Sequence, residues 1–188
     1  MSGSHAAALK FCLERVMPGS RVVDVGAGMS PMAGWLTSEK NCELLAFDIN
    51  SERLERGWIN ANRNYQIQHA DAREINLQRE FYDYAVALYS LQCMIGYEPL
   101  VWCRIRSWLK MGGSLLAASR YYLNSPRYEG DRGDPLLSQD EHTIAMLAKF
   151  CGFSVETMQT IRYDEKSFQE EPIGSSRANA ILFHLKAV

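Results

Sequence analysis

The sequence predicts an α/β fold: a doubly wound, mostly parallel seven-stranded sheet with helices on both faces and an antiparallel C-terminal hairpin strand. Two observations lead to this prediction. Apolar runs alternate with helical patterns along most of the chain, which is typical of a parallel sheet between two layers of helices. The last two apolar runs have no helix between them, so we expect them to pair antiparallel. The chain of 188 residues is long enough for one domain with a sizeable core, which we expect over residues 1–188.

Seven segments have the composition of strands, because they are apolar and rich in β-branched or aromatic residues. We expect right-handed crossovers between the parallel ones. In chain order the predicted strands are residues 21–25, 42–49, 65–70, 81–89, 114–119, 153–163 and 178–188.

Helical signals occur between these strands. Ser30 and Asn50 are expected to cap the helices that follow them, with Pro31 in the first position of its helix. Ser138 and Glu141 have the spacing of a capping box. A Gly-Gly pair at 112–113 is expected to end the helix before it. The predicted helices are residues 5–17, a segment starting at Pro31, 51–61, 98–110 and 138–151.

The composition is that of an ordinary soluble protein, with 47% apolar and 22% charged residues. The net charge of −2 argues against a protein that mainly grips duplex phosphates. No apolar run is long enough for a membrane span, and the N-terminus lacks the pattern of a secretory signal. The five cysteines are scattered and contain no CxxC pair, so we expect reduced thiols, no metal site and a cytoplasmic protein.

The stretch VVDVGAGMSP, residues 22–31, follows the pattern of a nucleotide-binding turn. A glycine-rich turn between a strand and a helix lets the backbone approach a ligand and presents free N–H groups to it. The dinucleotide fingerprint G-x-G-x-x-G/A matches at Gly26 and Gly28 but fails at Pro31. No Walker-type G-K-[ST] occurs either, so the sequence excludes a P-loop.

A different family accommodates this turn. VVDVGAGMSP resembles motif I of the class I S-adenosylmethionine-dependent methyltransferases, in which an acid and a Gly-x-Gly end the first strand. AFDIN and HADARE are similar to the next two motifs, and WLKMGGSLLAAS is similar to the family's Gly-Gly turn and fifth strand. The resemblance covers roughly residues 10–188, and Ser30 departs from the third glycine that the family often has.

The resemblance implies S-adenosyl-L-methionine as the cofactor. Asp24 and the turn would hold its methionine end, Asp48 its ribose hydroxyls and Asp71 its adenine amino group. From the residues alone, Asp24 could instead accept backbone N–H bonds in the turn, and Asp71 could cap the turn that follows it. The implied cofactor-binding residues are Asp24, Gly26, Ala27, Gly28, Asp48, Ile49, Asp71, Ala72 and Leu88.

The acceptor of the methyl group is less clear from sequence. The fourth strand lacks the Asn/Asp-Pro-Pro-Tyr/Phe motif of the DNA and amide N-methylases, and no Pro-Cys nucleophile occurs. We therefore expect a small-molecule acceptor, walled by a lid or substrate loop at 120–137 that is rich in Tyr and Arg. Its candidate acceptor-binding residues are Arg120, Tyr122 and Tyr128.

Candidate general bases are Tyr89, which ends the fourth strand, and His142, which lies in the first turn of a helix after the loop. A base is needed only if the acceptor must lose a proton. Two other functions stay open at this stage: an RNA methyltransferase, and a non-catalytic protein that binds S-adenosylmethionine. The balanced charges of the loop make nucleic acid the less favoured partner.

Overall fold

A seven-stranded sheet runs through the protein in the computed structural model, which describes residues 3–30, 32–57, 63–122, 127–129, 135–137, 140–162 and 178–188. Two short strands form a separate antiparallel pair. In chain order the strands are β1 (Arg21–Val25), β2 (Glu43–Asp48), β3 (Tyr65–His69), β4 (Tyr82–Leu88), β5 (Leu109–Tyr122), β6 (Arg127–Glu129), β7 (Pro135–Leu137), β8 (Phe153–Arg162) and β9 (Ala178–Ala187).

The order of strands in the large sheet is β3-β2-β1-β4-β5-β9-β8. Strands β1 to β5 pair in parallel, whereas β9 is antiparallel to both β5 and β8. The predicted fold class is thus confirmed, including the C-terminal hairpin. The chain winds outward from β1 in one direction and from β4 in the other, so a crevice opens at the carboxyl ends of these two strands.

Helices cover both faces of the sheet, as the alternation of patterns predicts. A π-helical turn lies at Trp35–Glu39 and a 3₁₀ turn at Leu91–Cys93. The described α-helices are α1 (Gly3–Arg15), α2 (Ser51–Gly57), α3 (Glu98–Trp108) and α4 (Glu141–Phe150). None of the helices in the described ranges is long and apolar enough to cross a membrane.

Two apolar clusters lie on opposite faces of the sheet because successive side chains of a strand point to opposite sides. Val23 and Val25 pack in the cluster that contains Trp102 of α3 and Ile144 of α4. The side chain of Val22 belongs to the cluster on the opposite face, where it packs with α1 and the segment around Leu36. One short strand therefore anchors both layers of helices.

Two predictions about helix ends needed correction. The Gly112-Gly113 pair does not end a helix: α3 ends at Trp108, and the pair lies within β5, where the pairing with β4 skips from Leu109 to Ser114. The predicted capping box is also wrong. The residue that caps α4 is Asp140, whose side chain accepts the Thr143 N–H at 2.7 Å. Ser138 lies outside the described residues.

The segment 120–137, predicted as a loop, contains regular structure. Strand β5 extends to Tyr122, so it is longer than the predicted 114–119. Beyond it, β6 and β7 pair antiparallel with Tyr128 opposite Leu136. The hairpin formed by β6 and β7 lies against the 3₁₀ turn at Leu91–Cys93, just beyond the carboxyl end of β4.

Candidate functional site

The turn after β1 is held by bonds to β2. Gly26 and Gly28 both have positive φ angles, 64° and 54°, which side chains with a Cβ rarely adopt. The Ala27 N–H donates to the Phe47 carbonyl at 3.0 Å, and the Gly28 N–H donates to Asp48 Oδ2 at 2.8 Å. The glycine-rich turn and the acid at the end of β2 are therefore one structural unit.

Gly26 also touches the end of β4. A Cβ built on Gly26 would lie 2.5 Å from the Cβ of Ser90, whereas one built on Gly28 meets nothing within 4 Å. The Ser90 hydroxyl donates to the Val25 carbonyl at 2.6 Å, which ties the ends of β1 and β4 together. Ser90 was missed by the sequence analysis, because a serine after a strand carries no signal of the contact it makes.

Asp24 lies beneath the turn and is 3% exposed. Its Oδ2 accepts the Ser30 hydroxyl at 2.7 Å. Burial raises the pKa of Asp24 to about 7, although the Ser30 bond acts in the opposite direction. The predicted cap at Ser30 is therefore wrong: its side chain serves the buried acid, and Pro31 lies outside the described residues.

Asp48 ends β2 at the crevice. Its second oxygen, Oδ1, accepts the Asn50 N–H at 2.8 Å, so both carboxylate oxygens face backbone donors. The predicted cap at Asn50 is confirmed, since its side chain accepts the Arg53 N–H at 3.0 Å. Next to Asp48, Ile49 is 63% exposed, and across the turn Met29 is 59% exposed. Two large apolar side chains thus lie uncovered beside a carboxylate.

The carboxylate of Asp71 forms an ion pair with Arg73, two residues along the chain. Arg73 donates through Nε to Oδ1 and Oδ2 at 3.0 and 2.9 Å, and these bonds hold the pKa of Asp71 below its usual range. The Asp71 Oδ1 also accepts the Arg73 N–H, so this acid caps its turn as well. The guanidinium lies 4.9 Å from the ring centroid of Tyr97, a contact that sequence reasoning did not anticipate.

Three other predicted residues lie near the carboxyl end of β4, and a fourth lies far from it on α4. Leu88 ends β4 and Tyr89 follows it, with a positive φ of 59° and an N–H that donates to the Ala118 carbonyl. Arg120 follows on β5, and its N–H donates to Gln92 Oε1 at 2.6 Å. His142 lies in the first turn of α4, which packs on β8, and β5 and β9 separate that strand from β4.

Four further predicted residues lie in the turn after β1, after β3, and on strands β5 and β6. Ala72 is buried beside Asp71, and Ala27 is half-buried within the turn. Tyr122 and Tyr128 lie on β5 and β6. No group of three or more His, Cys, Asp or Glu side chains in the described ranges is placed to hold a metal ion.

The arrangement suits a nucleoside with a charged tail. Gly28 leaves open space, Asp48 can accept hydrogen bonds from hydroxyls, and Ile49 offers an apolar surface to a flat ring. Asp24 offers a buried carboxyl near the turn for a cationic group. The contacts fit the cofactor that the sequence resemblance implies.

The steric contact at Gly26 gives a prediction for stability. In Gly26→Ala we expect a loss of at least about 2 kcal/mol of unfolding free energy, since left-handed backbone costs Ala about 1–2 kcal/mol and the new Cβ overlaps Ser90. Gly28→Ala, with open space, should lose only the backbone contribution. Urea unfolding of both variants measures the difference.

The double variant Gly26→Ala/Ser90→Gly separates the two contributions. Removing the Ser90 Cβ relieves the overlap, so the double variant should be more stable than the sum of the single losses implies. Strict additivity would contradict the contact.

The buried acid predicts a pH dependence of the protein without ligand. Because the pKa of Asp24 is raised in the folded state, the native protein holds a proton that the unfolded chain releases between about pH 4 and 7. The contribution of Asp24 to stability is present below pH 4 and falls as the pH rises to 7. Asp24→Asn cannot titrate, so its free energy of unfolding should not show this fall. Between pH 4 and 8 the variant should therefore become more stable relative to wild type by several kcal/mol, on the order of 1.4 kcal/mol per pKa unit.

Asp83 is a control with the opposite sign. Burial acts to raise its pKa, but bonds from Lys110 and from the Arg21 N–H prevail and lower it. Asp83→Asn should therefore lose stability at neutral pH and match wild type in acid. Urea unfolding at several pH values gives the free energy of unfolding of each variant relative to wild type. If this difference changed with pH in the same direction for both variants, the assignment would be contradicted.

The family of the chain is settled by its sequence. A family model of the methyltransferase domain matches residues 23–117, about half of the chain. This match includes the turn after β1, the acid that ends β2, the acid that follows β3, and most of β5. No curated protein sequence matches the chain significantly.

Solved structures share the fold at low sequence identity. An S-adenosylmethionine-dependent methyltransferase from Mesorhizobium loti has 14% identity and a TM-score of 0.77, with 98% of each chain covered. Phosphoethanolamine N-methyltransferase 2 from Haemonchus contortus, solved with phosphomonomethylethanolamine and S-adenosylhomocysteine, has 14% identity and a TM-score of 0.76 over 98% of this chain and 52% of that one.

The fold also occurs in a protein named for a different reaction. The [4+2]-cyclase SpnF has 14% identity and a TM-score of 0.82, covering all of this chain and 83% of its own. At such identities the neighbours establish the fold, and the family model establishes the activity. The chain belongs to the methyltransferase domain family and is a class I S-adenosylmethionine-dependent methyltransferase.

Proposed function

We propose that the enzyme methylates a small-molecule acceptor held between residues 89–97 and the hairpin of β6 and β7. The observation that carries this proposal is the position of β7 against the 3₁₀ turn at Leu91–Cys93. That turn follows Ser90, whose Cβ abuts Gly26. The hairpin therefore lies beside the crevice at the carboxyl ends of β1 and β4, where it would act as the lid predicted at 120–137.

In this proposal the cofactor follows the row of acids along the crevice. Asp24, Gly26, Ala27 and Gly28 would hold its methionine end, with the buried carboxyl of Asp24 facing its ammonium group. Asp48 would accept the ribose hydroxyls. Two observations support this role: Asp48 lies at the end of β2 beside the turn, and Ile49 next to it is exposed.

The adenine end requires an exchange of partners. Asp71 is paired with Arg73, so binding of an adenine amino group there would share or replace that ion pair. Ala72 and Leu88 would line the ring's surroundings with small and apolar surface. When bound, S-adenosylmethionine supplies an electrophilic methyl group on its sulfonium.

The proposed position of the acceptor favours a small molecule over a nucleic acid. A site between a hairpin and a short turn would suit a molecule of limited size. An RNA site would need a basic rim around the crevice. On the adenine side the guanidinium of Arg73 is neutralised by Asp71, and the chain as a whole has a net charge of −2.

An anionic group on the acceptor would find a partner on β5. The backbone of Arg120 is fixed by Gln92, which is 3% exposed and belongs to the turn beneath the hairpin. A guanidinium binds carboxylate or phosphate, and we assign Arg120 that role. Tyr122 and Tyr128, which the sequence also suggests for acceptor binding, belong to β5 and β6. The Haemonchus structure contains a phosphorylated amine, so compounds of that class belong among the acceptors to be tested.

Tyr89 is the better placed of the two candidate bases. It directly precedes Ser90 at the carboxyl end of β4, whereas His142 lies on a helix that packs on β8. The left-handed backbone at Tyr89 is a strained conformation of the kind found at functional sites. If the acceptor must lose a proton, Tyr89 would receive it as the phenolate and become the phenol; otherwise alignment supplies the rate.

The proposal predicts turnover with small acceptors. Formation of S-adenosylhomocysteine should be measured with amines, phosphorylated amines, phenols and carboxylates, and in parallel with RNA. We expect turnover with at least one small molecule and none with RNA. Methylation of RNA alone, weakening steeply with salt, would contradict the proposed acceptor class. Cofactor binding without transfer to any acceptor would contradict methyl transfer itself.

With an active acceptor, Tyr89→Phe tests the base. The loss of one hydroxyl should lower kcat by about 10²-fold or more while the dissociation constant of the cofactor stays within about twofold. Tyr82→Phe makes the same chemical change at the opposite end of β4 and should leave kcat unchanged. Equal kcat values for Tyr89→Phe and wild type would show that Tyr89 takes no proton.

A further inference from the structure

Two cysteines from different helices meet on the face of the sheet that α3 and α4 cover. Cys103 lies on α3, and Cys151 is the residue at which α4 ends. Their Sγ atoms are 3.0 Å apart. Cys103 is exposed, whereas Cys151 is only 6% exposed, so one thiol of the pair is open to solvent and the other is covered.

We propose that Cys103 and Cys151 form an oxidation site that reacts with hydroperoxides to give an intramolecular disulfide. The sequence shows no CxxC spacing, so this pairing depends on the way the fold brings positions 48 residues apart into contact. It lies outside the crevice and is independent of the proposed acceptor.

The helices that carry the two thiols are fixed by packing and hydrogen bonds. Trp102 of α3 and Ala148 of α4 are fully buried in the same apolar cluster. Arg106 of α3 donates through Nε to the carbonyl of Gly152, the residue after Cys151, at 3.0 Å. A disulfide requires sulfurs about 2.05 Å apart, so the two atoms need to approach by only about 1 Å.

The different exposure of the thiols assigns their roles. Burial, reinforced by the neighbouring Cys103 sulfur, raises the pKa of Cys151 to about 12, which disfavours its thiolate. Its Sγ also lies 3.5 Å from the Pro99 carbonyl, to which the thiol donates. Cys103 is therefore the thiol that meets the oxidant, and Cys151 is the one that resolves the product.

The reaction balances in two steps. The Cys103 thiolate attacks one oxygen of the hydroperoxide, the O–O bond breaks, and Cys103 becomes a sulfenic acid while the other oxygen leaves as an alcohol or water. The Cys151 sulfur then attacks the Cys103 sulfur; the S–S bond forms, the S–O bond breaks, and the hydroxyl leaves as water with the Cys151 proton. Two thiols lose two electrons, and the hydroperoxide gains them.

The test treats the full-length protein with hydrogen peroxide and maps the cysteines by mass spectrometry without reduction. We expect a peptide linked through Cys103 and Cys151, and a loss of two of the five free thiols that dithiothreitol restores. Closing a loop of this length should raise the midpoint of thermal unfolding by about 5–10 °C in the oxidised protein. A lower midpoint would show that the bond forces the helices apart and would contradict a preformed site.

Variants at single cysteines test the order of events. In Cys151→Ser, the sulfenic acid should persist on Cys103 and react with dimedone, whereas Cys103→Ser should form neither product. Cys93→Ser removes another exposed thiol and should leave the linked peptide intact. Oxidation of Cys103 without the linked peptide in wild type, or linkage of Cys103 to a different cysteine, would overturn the proposal.

Discussion

The contact between Gly26 and Ser90 is the constraint on which the rest of the site depends. Because Gly26 has no Cβ, the end of β4 can approach the turn after β1, and the Ser90 hydroxyl fastens the junction to the Val25 carbonyl. This junction sets where Tyr89 and the turn at Leu91–Cys93 lie, and through that turn where the hairpin of β6 and β7 rests. A single missing side chain thus aligns the proposed cofactor and acceptor sides of the crevice.

The acids along the crevice differ in how the apo protein satisfies them. Asp48 accepts two backbone N–H groups, and Asp71 accepts bonds from a guanidinium, so both carboxyl groups already have hydrogen-bond donors. Asp24 is buried with one hydroxyl donor, and its pKa lies near 7. A cationic ligand beside Asp24 would favour its carboxylate, which links binding to release of a proton from the site. Of these three acids, Asp24 is therefore the one whose protonation we expect a charged ligand to change most.

Much of the fold follows from the sequence, because periodicity and turn chemistry are local. The five residues of β1 and the antiparallel pairing of β8 with β9 are where the patterns predict them. Tertiary contacts decided the rest. The hydroxyl of Ser30 turned away from its helix toward Asp24, and the partners Ser90 and Arg73 became visible only once distant segments were brought together. The Cys103–Cys151 contact joins positions too far apart in the chain for any spacing rule.

The central claim is that the turn and Asp48 form one unit that binds S-adenosylmethionine. Calorimetric titration of Asp48→Ala with S-adenosylmethionine tests it most directly, because the substitution removes both the ribose acceptor and the bond to the Gly28 N–H. Glu52→Gln, on the exposed helix that follows, controls for the loss of a charge nearby. The account predicts binding to wild type and to Glu52→Gln and no measurable binding to a folded Asp48→Ala. Unchanged affinity in Asp48→Ala would contradict it.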